Sequence, residues 1–378
     1  MKPNYKVIIY TSQEFNHASY IQTGLFELQQ KGLVRVKVKL DIKKKLGRTI
    51  VSNKGAVTRT LHPHPKTSFY KLIDNNTKRH IVFAVDLYDL ADQFSTHALE
   101  TCDVVFKRNY ETKYVSSLPS NYKKKMYKLG LTFGVRSNFC QQLFTIFIGG
   151  LLGSMHANLK FDRFLVHRLL RVYKVQIREW KFVRRSRSIT SFEQFERSNT
   201  NAVLFQTRCF PHENYDDTKD IHKQRYDIIR ILKKEFPNSF KGGFVPSRIS
   251  LEKYGDAVTT VPTRPDLYLD AVKEAKIVIY TRGLANSPAW KMAEYLSQGK
   301  VIIAEYLTAE LPIPLEHGKH LLYFNDYEEM TNNIHWVLND VELMERLSKN
   351  ARGYFEKYVH PVANVERILN ILSIKLSQ

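Results

Sequence analysis

The chain has 378 residues, and its 58 Lys and Arg against 37 Asp and Glu give a formal charge of +21, with 43% hydrophobic and 12% aromatic residues. That apolar fraction can build real cores and excludes a disordered polyelectrolyte; the length exceeds what one core usually serves, so two domains are expected. The excess charge is confined to one half: positions 201–378 hold 23 basic and 23 acidic side chains, which leaves 35 basic and 14 acidic to positions 1–200.

In chain order, MKPNYKVIIYTSQEF has no long apolar stretch or small-residue cleavage site, so it reads as a first strand (Lys6 to Tyr10) and not as a signal peptide. An amphipathic helix from Ala18 to Lys31 stops at Gly32. Val34 to Leu40 alternates apolar and basic residues with period two, the pattern of a strand with one wet face. His80 to Val85 and Cys102 to Phe106 are short apolar strands, with a helical pattern from Leu87 to Leu99 between them. The segment 137–158 has no Asp, Glu, Lys or Arg, but its apolar centre from Leu143 to Leu152 is short of the ~20 residues a spanning helix needs, and Gly149 and Gly150 interrupt it. It reads as buried or interfacial.

The second half alternates more cleanly. Strand Ala202 to Phe205, helix Lys219 to Glu235, helix Leu267 to Ala275, strand Ile277 to Tyr280, helix Pro288 to Gln298 and strand Val301 to Ala304 follow one another, and helices then fill 326–338, 340–357 and 361–376. Alternation in both halves predicts two Rossmann-like α/β domains with parallel sheets facing a crevice. The polar, pattern-free stretch near 184–200 is the expected join. Cys102, Cys140 and Cys209 show no C-x-x-C spacing, so neither a disulfide framework nor a cysteine zinc site is expected and a reducing cytoplasm fits.

The stretch from Tyr280 to Ile303 carries the chemistry. Ser287 is placed to cap a helix, Pro288 to open it and Gly299 to close it. A helix starting directly after a parallel strand aims its free N–H groups and positive dipole end at the strand's carboxyl edge, where a phosphate would sit. Arg282 and Lys291 add charge there, and Glu294 could accept hydrogen bonds from a ribose diol.

The segment SPAWKMAEYLSQGKVIIAE, followed by Glu310-Leu-Pro, His317-Gly-Lys-His, Tyr323-Phe, Tyr327-Glu-Glu and Leu347-Ser-Lys-Asn-Ala-Arg352, resembles the C-terminal donor domain of GT-B glycosyltransferases of the bacterial family 1/4 type over about 277–355. The resemblance implies a nucleotide-sugar donor domain at 196–355, an acceptor domain at 1–195 and a final helix, about 356–378, packing back on the latter. It makes Glu294 the ribose-binding glutamate and places Arg208 where a diphosphate-binding cation stands. Many retaining members carry a second glutamate eight positions earlier, where this chain has Asn286; the retaining mechanism is therefore not carried over, and inversion is favoured. An inverting enzyme needs a general base from the first domain, for which Glu14, His17 and Asp86 are candidates. No metal or other cofactor is expected, because Arg208, Arg282, Lys291 and the helix N-terminus can hold the charge on a departing diphosphate. Asp86-Leu-Tyr-Asp89 and Asp216-Asp217 read as caps or solvated surface, and His62-Pro-His64-Pro as an extended turn with no third ligand.

Two basic stretches remain. Arg35 to Arg48 carries seven basic side chains and one acid, and Lys160 to Arg187 ten and two, the latter interleaved with Phe161, Phe164, Leu165, Leu169 and Trp180. They suggest docking on an anionic membrane surface, where each Lys or Arg contributes ~1 kcal/mol. The expectation is a cytoplasmic, peripherally membrane-bound glycosyltransferase using a glycan acceptor, lipid-linked and destined for a cell-surface polysaccharide. Nucleic-acid binding is the competing class, although no helix-turn-helix, zinc-finger or RRM signature is present. A GT-B nucleotide-sugar epimerase is the third reading, and would leave the basic, partly apolar half unused.

Overall fold

The computed structural model describes residues 4–11, 15–140, 142–195, 198, 200–211 and 216–378. The chain divides into two compact units: unit 1 comprises 1–189, 309–312 and 359–378, and unit 2 comprises 190–308 and 313–358. Among the described residues, no helix is long and apolar enough to cross a membrane.

Unit 1 runs β1 (Tyr5–Tyr10), α1 (Phe15–Gln30), β2 (Val34–Lys39), β3 (Leu46–Val51), β4 (Val57–Pro63), β5 (Thr67–Asp74), β6 (His80–Asp86), β7 (Gln93–Ser95), α2 (Thr96–Thr101), β8 (Val104–Lys107), α3 (Thr112–Ser116), α4 (Ser120–Lys123), β9 (Met126–Lys128), α5 (Leu143–Ala157) and α6 (Leu165–Arg185). Short α7 (Ile189–Glu193) follows at the junction in sequence. The main sheet has the order β2-β1-β5-β6-β8-β9. β1 and β2 are parallel, as are β6, β8 and β9, but β5 runs antiparallel to both β1 and β6. The reason is local: β5 and β6 are joined by a tight turn in which the Asp74 carboxylate accepts the N–H groups of Asn76 and Thr77, and a short connection can only link antiparallel neighbours. β2 stands at the sheet's edge, and its Val34 and Val36 are buried while Arg35 and Lys37 are exposed, the wet face its alternation predicts.

The helix expected over Leu87 to Leu99 is cut short: 87–92 are loop and turn, and 93–95 join a separate antiparallel sheet, β4-β3-β7. Residues Gln93–Ser95 pair with β3, and the helix begins only at Thr96, where the Ser95 hydroxyl accepts the Ala98 N–H. Helix periodicity and a short half-buried strand look alike over so few residues.

Unit 2 continues with β10 (Val203–Thr207), α8 (Asp216–Glu235), β11 (Phe240–Phe244), α9 (Arg248–Lys253), α10 (Pro265–Glu274), β12 (Ile277–Tyr280), α11 (Trp290–Ser297), β13 (Val301–Ala304), β14 (Leu322–Tyr323), α12 (Tyr327–Asn339) and α13 (Val341–Tyr354). All five strands are parallel, in the order β11-β10-β12-β13-β14. Counted within the unit this is 2-1-3-4-5, a doubly wound Rossmann-like sheet. Every residue of β10, β12 and β13 is buried, which is why β12 and β13 read as unbroken apolar runs; β10 is apolar as far as Phe205 and ends in buried Gln206 and Thr207. Ile228, Ile229 and Leu232 of α8 and Met330 and Ile334 of α12 pack with Phe205, Ile279 and Ile303 in one core.

The last helix, α14 (Pro361–Ser377), belongs to unit 1 and packs on α1. The Tyr20 hydroxyl donates to the Val359 carbonyl at 2.6 Å and accepts from Asn364 Nδ2 at 3.1 Å. Asn364 also donates to the Leu129 carbonyl.

Candidate functional site

In a parallel sheet every strand delivers its loop to the same edge, so the segments after β10, β12 and β13 converge there. The β12 loop holds a 3-10 turn, Leu284–Asn286, in which Ala285 and Asn286 both have φ of 55°, a left-handed conformation unusual for residues with side chains. Two observations correct the expected cap. α11 begins at Trp290, not Pro288, and the Ser287 hydroxyl donates to the Leu284 carbonyl at 2.9 Å instead of accepting helix N–H groups. Ser287 thus holds the loop, while the Ala289 N–H donates to Tyr280 Oη at 2.8 Å. The helix starts late because Ser287 and Ala289 are both extended, with ψ of 144° and 145°, and the Ala289 N–H is held by Tyr280. Gly299, with φ of 53°, does follow the helix end, just past Gln298.

Four cations gather at this edge. Lys291, in the first turn of α11, donates through Nζ to the Gln206 carbonyl and lies 4.5 Å from the centroid of the Tyr268 ring. Burial, with Arg225 and Arg208 adding repulsion, pushes its ammonium down to about 7, against the opposing pull of Glu294. Glu294 is buried on the next turn of the same helix. Arg208 is exposed after β10, and Arg282 follows β12.

The fourth cation, Arg225, is absent from the sequence-based assignment. It lies on α8, 5% exposed, and donates to the carbonyls of Arg208 at 2.7 Å and Arg282 at 3.0 Å. It therefore ties the β10 and β12 loops together, and its buried Nε has no hydrogen-bond partner among the described residues. Burial, then Arg208, lowers its guanidinium to about 10. Nothing in α8's sequence separates Arg225 from its neighbouring charged residues; only the inward face of the helix does.

Acids organise the cations. Arg282 Nη1 pairs with Asp217 at 2.5 Å and with Asn286 Oδ1 at 2.9 Å. Asp217 opens α8 and also accepts the Ala285 N–H at 3.1 Å, so it is a loop anchor and not the solvated surface its sequence context suggested. Glu305, directly after β13, accepts the Arg282 N–H at 2.7 Å and Gln224 Nε2 at 2.5 Å. A distinct cleft of about 740 Å³ lies where strands begin, beside Lys276, Lys300 and Lys319, away from this edge.

In unit 1, Glu14 lies outside the described residues. His17 is half-buried in the first turn of α1, within electrostatic reach of Asp89. Asp89 accepts Arg108 Nη1 at 2.7 Å and Lys66 Nζ at 2.6 Å. Against the cost of burial, Arg108 and Lys66 hold its carboxyl well below the usual range. Asp86 ends β6 at 1% exposure, 3.4 Å from the fully buried Lys107 ammonium, and its other oxygen accepts the Tyr88 N–H. Lys107 donates further to the carbonyls of Leu90 and Gln93. Asp86 is therefore half of a buried ion pair, neither a helix cap nor a carboxylate open to a sugar hydroxyl. His62 is exposed on β4, while His64 is buried, shares a hydrogen bond with Thr67 at 3.0 Å and is pushed down to about 4 by burial.

No protein-family model matches the chain, and no curated protein sequence does. Among solved structures it is similar to S. aureus MnaA bound to UDP, at 14% identity and a TM-score of 0.39 over 98% of this chain and 96% of that one. It is similar to HepE from Anabaena in complex with UDP, at 11% identity and a TM-score of 0.34 over 71% and 91%. The C-terminal domain of the glycosyl transferase group 1 family protein LpcC from Francisella tularensis matches at 11% identity and a TM-score of 0.28, over 42% and 84%.

Proposed function

We infer that the protein is a glycosyltransferase of the GT-B plan, in which unit 2 binds a nucleotide diphosphate-sugar. The observation that carries this reading is the cation cluster at the carboxyl edge of the unit 2 sheet. Lys291 and Arg225 are both held below their ordinary pKa values by burial and by their cationic neighbours, and an arriving diphosphate relieves that repulsion while meeting preorganised donors. Arg208 and Lys291 face the diphosphate, and Arg225 positions the two loops. Arg282, held by Asp217, sets the shape of the β12 loop and lends charge. Glu294 accepts the ribose hydroxyls from the second turn of α11.

Transfer onto a glycan hydroxyl needs a proton acceptor from unit 1. With Asp86 committed to Lys107, His17 and Glu14 are the residues to test, and Asn286 in place of a second glutamate favours inversion. The proposed setting is the cytoplasmic assembly of a cell-surface polysaccharide on a lipid-linked acceptor. Leaving-group charge is taken by the protein's own cations, so the mechanism calls for no metal.

The test is a thermal-unfolding panel with UDP, GDP, CDP and dTDP, beside random RNA and DNA oligomers. One diphosphate at about 100 times its Kd should stabilise the protein by ~2.7 kcal/mol. Glu294→Ala and Arg225→Met should each remove most of that shift. Stabilisation by oligomers alone would point to nucleic-acid binding and sink the transferase reading.

A further inference from the structure

The two basic stretches, Arg35 to Arg48 and Lys160 to Arg187, are more than a hundred residues apart in sequence, yet the fold of unit 1 joins them. The joint is α5. Its glycine-bearing face is buried: a Cβ on Gly149 would stand 2.3 Å from Thr11 Cγ2, and one on Gly153 would stand 3.4 Å from the Asp41 carbonyl. Close approach through these two glycines seats the helix against the loop after β2, where His156 Nδ1 bonds the Ile42 carbonyl at 2.6 Å. At the other end of the connection, Arg168 of α6 donates to the carbonyls of Asn158 and Lys160. Loop 40–45, the end of α5 and the start of α6 are therefore contiguous.

What this strip presents is apolar and basic together. Phe161 is 90% exposed, Val166 70% and Phe164 55%. Leu170, Leu40 and Ile42 are also exposed. Between and beside them stand exposed Lys43, Lys44, Lys160, Arg163, Arg171 and Lys174. α6 is anchored through its opposite side: Gln176 donates to Ser154 Oγ, Glu179 accepts the Phe15 N–H, and Trp180 packs on Phe147 at 4.7 Å. Glu179 is the only acid on α6 and is buried, while Asp162 is paired with Arg168, so neither offsets the exposed cations.

We propose that this strip of unit 1 docks on an anionic lipid surface, with Phe161, Phe164 and Leu170 entering the acyl boundary and the lysines and arginines meeting headgroups. The side-chain types select this occupant. Phe161, Phe164 and Tyr173 have ring faces that a base could stack on, but the exposed Val166, Leu170, Leu40 and Ile42 beside them are aliphatic and suited only to hydrocarbon. An exposed apolar stripe edged with cations on one helix face is the pattern of an interfacial helix. The proposal does not rest on the transferase reading, since vesicle binding is measured without donor or acceptor.

The experiment is co-sedimentation of the full chain with phosphatidylcholine vesicles, pure or carrying about 30 mol% phosphatidylglycerol, at about 0.15 M ionic strength. Binding is expected to the anionic vesicles only. Each surface lysine contributes about fivefold, so Lys43→Ala with Lys44→Ala should weaken partitioning roughly 25-fold. Phe161→Asp with Leu170→Asp should abolish it, and both pairs are solvent-exposed, so the unfolding curves should match the parent. Absence of binding, equal binding to neutral vesicles, or loss in the α6 variant with none in the Lys43/Lys44 variant would overturn the two-segment surface. Binding to a single-stranded oligonucleotide with no vesicle binding would replace it with a nucleic-acid site.

Discussion

If Lys291 meets the donor diphosphate, binding must take up a proton. In the unliganded protein, burial and the nearby Arg225 and Arg208 push the ammonium down to about 7, so above that pH most molecules hold a neutral amine. A diphosphate beside Nζ reverses the electrostatics and raises the value, and linkage then ties affinity to pH. Should only the charged form bind, the fraction competent falls nearly tenfold per unit above 7, and Kd for the bound diphosphate should rise about 25-fold between pH 7.5 and pH 9. That window lies above the phosphate's own titration near pH 6, so the ligand's charge stays constant. Titration calorimetry in two buffers of different ionisation enthalpy counts the protons directly, with uptake approaching one near pH 8.5. Lys291→Arg, whose guanidinium stays charged, should flatten the profile. Without ligand the sign is set by the same depressed value: the unfolded chain binds the proton more readily, so the folded state carries its full penalty below pH 7 and gains stability as pH rises toward 10.5. A diphosphate that binds with pH-independent affinity and no proton uptake would refute the placement of Lys291 against it.

Two further outcomes test the structure of unit 1. Asp86→Asn leaves the Lys107 ammonium buried without its counter-charge; breaking such a pair costs about 3–5 kcal/mol, and two remaining carbonyl acceptors place this case at the lower end, visible as a fall in urea midpoint. A variant that unfolds like the parent yet has lost all turnover would instead restore Asp86 as the base. Gly24→Ala puts a methyl 2.4 Å from the Pro361 carbonyl oxygen and 2.6 Å from Val365 Cγ2, forcing α1 and α14 apart. Overpacking against backbone should cost about 3 kcal/mol and lower Tm by roughly 10 °C. An unchanged Tm would show that the two helices are not packed as described.

The parts of the fold that follow from local periodicity are legible in the residues. β12, β13 and the first part of β10 are apolar runs because both faces of a parallel strand are covered, and β2 alternates because one face is wet. The ends of α12 and α13 follow from the carboxylates of Asp326 and Asp340, which accept the N–H groups of Glu329 and Leu343. Strands β3 to β5 are not legible in the residues, because β4 is exposed along most of its length and β5 buried along most of its own, so neither alternates as its burial would need; the antiparallel direction of β5 is hidden with them. The Ser287-Pro288 start of α11 also failed, since capping residues fit a tight loop as well as a helix end.

The site divides the same way. Composition and order placed Arg208, Arg282, Lys291 and Glu294 near one sheet edge, because parallel strands leave no other place for their loops. They could not reveal Arg225, whose contribution depends on the face that α8 turns inward, nor that Asp86 is buried against Lys107, a partner twenty-one residues away on a neighbouring strand. The +21 charge was likewise a property of composition alone. Joining Lys43 and Lys44 to Lys160, Arg163, Arg171 and Lys174 on one surface requires α5 to bring the loop after β2 beside the start of α6, a contact between residues remote in sequence that only close packing at Gly149 and Gly153 permits.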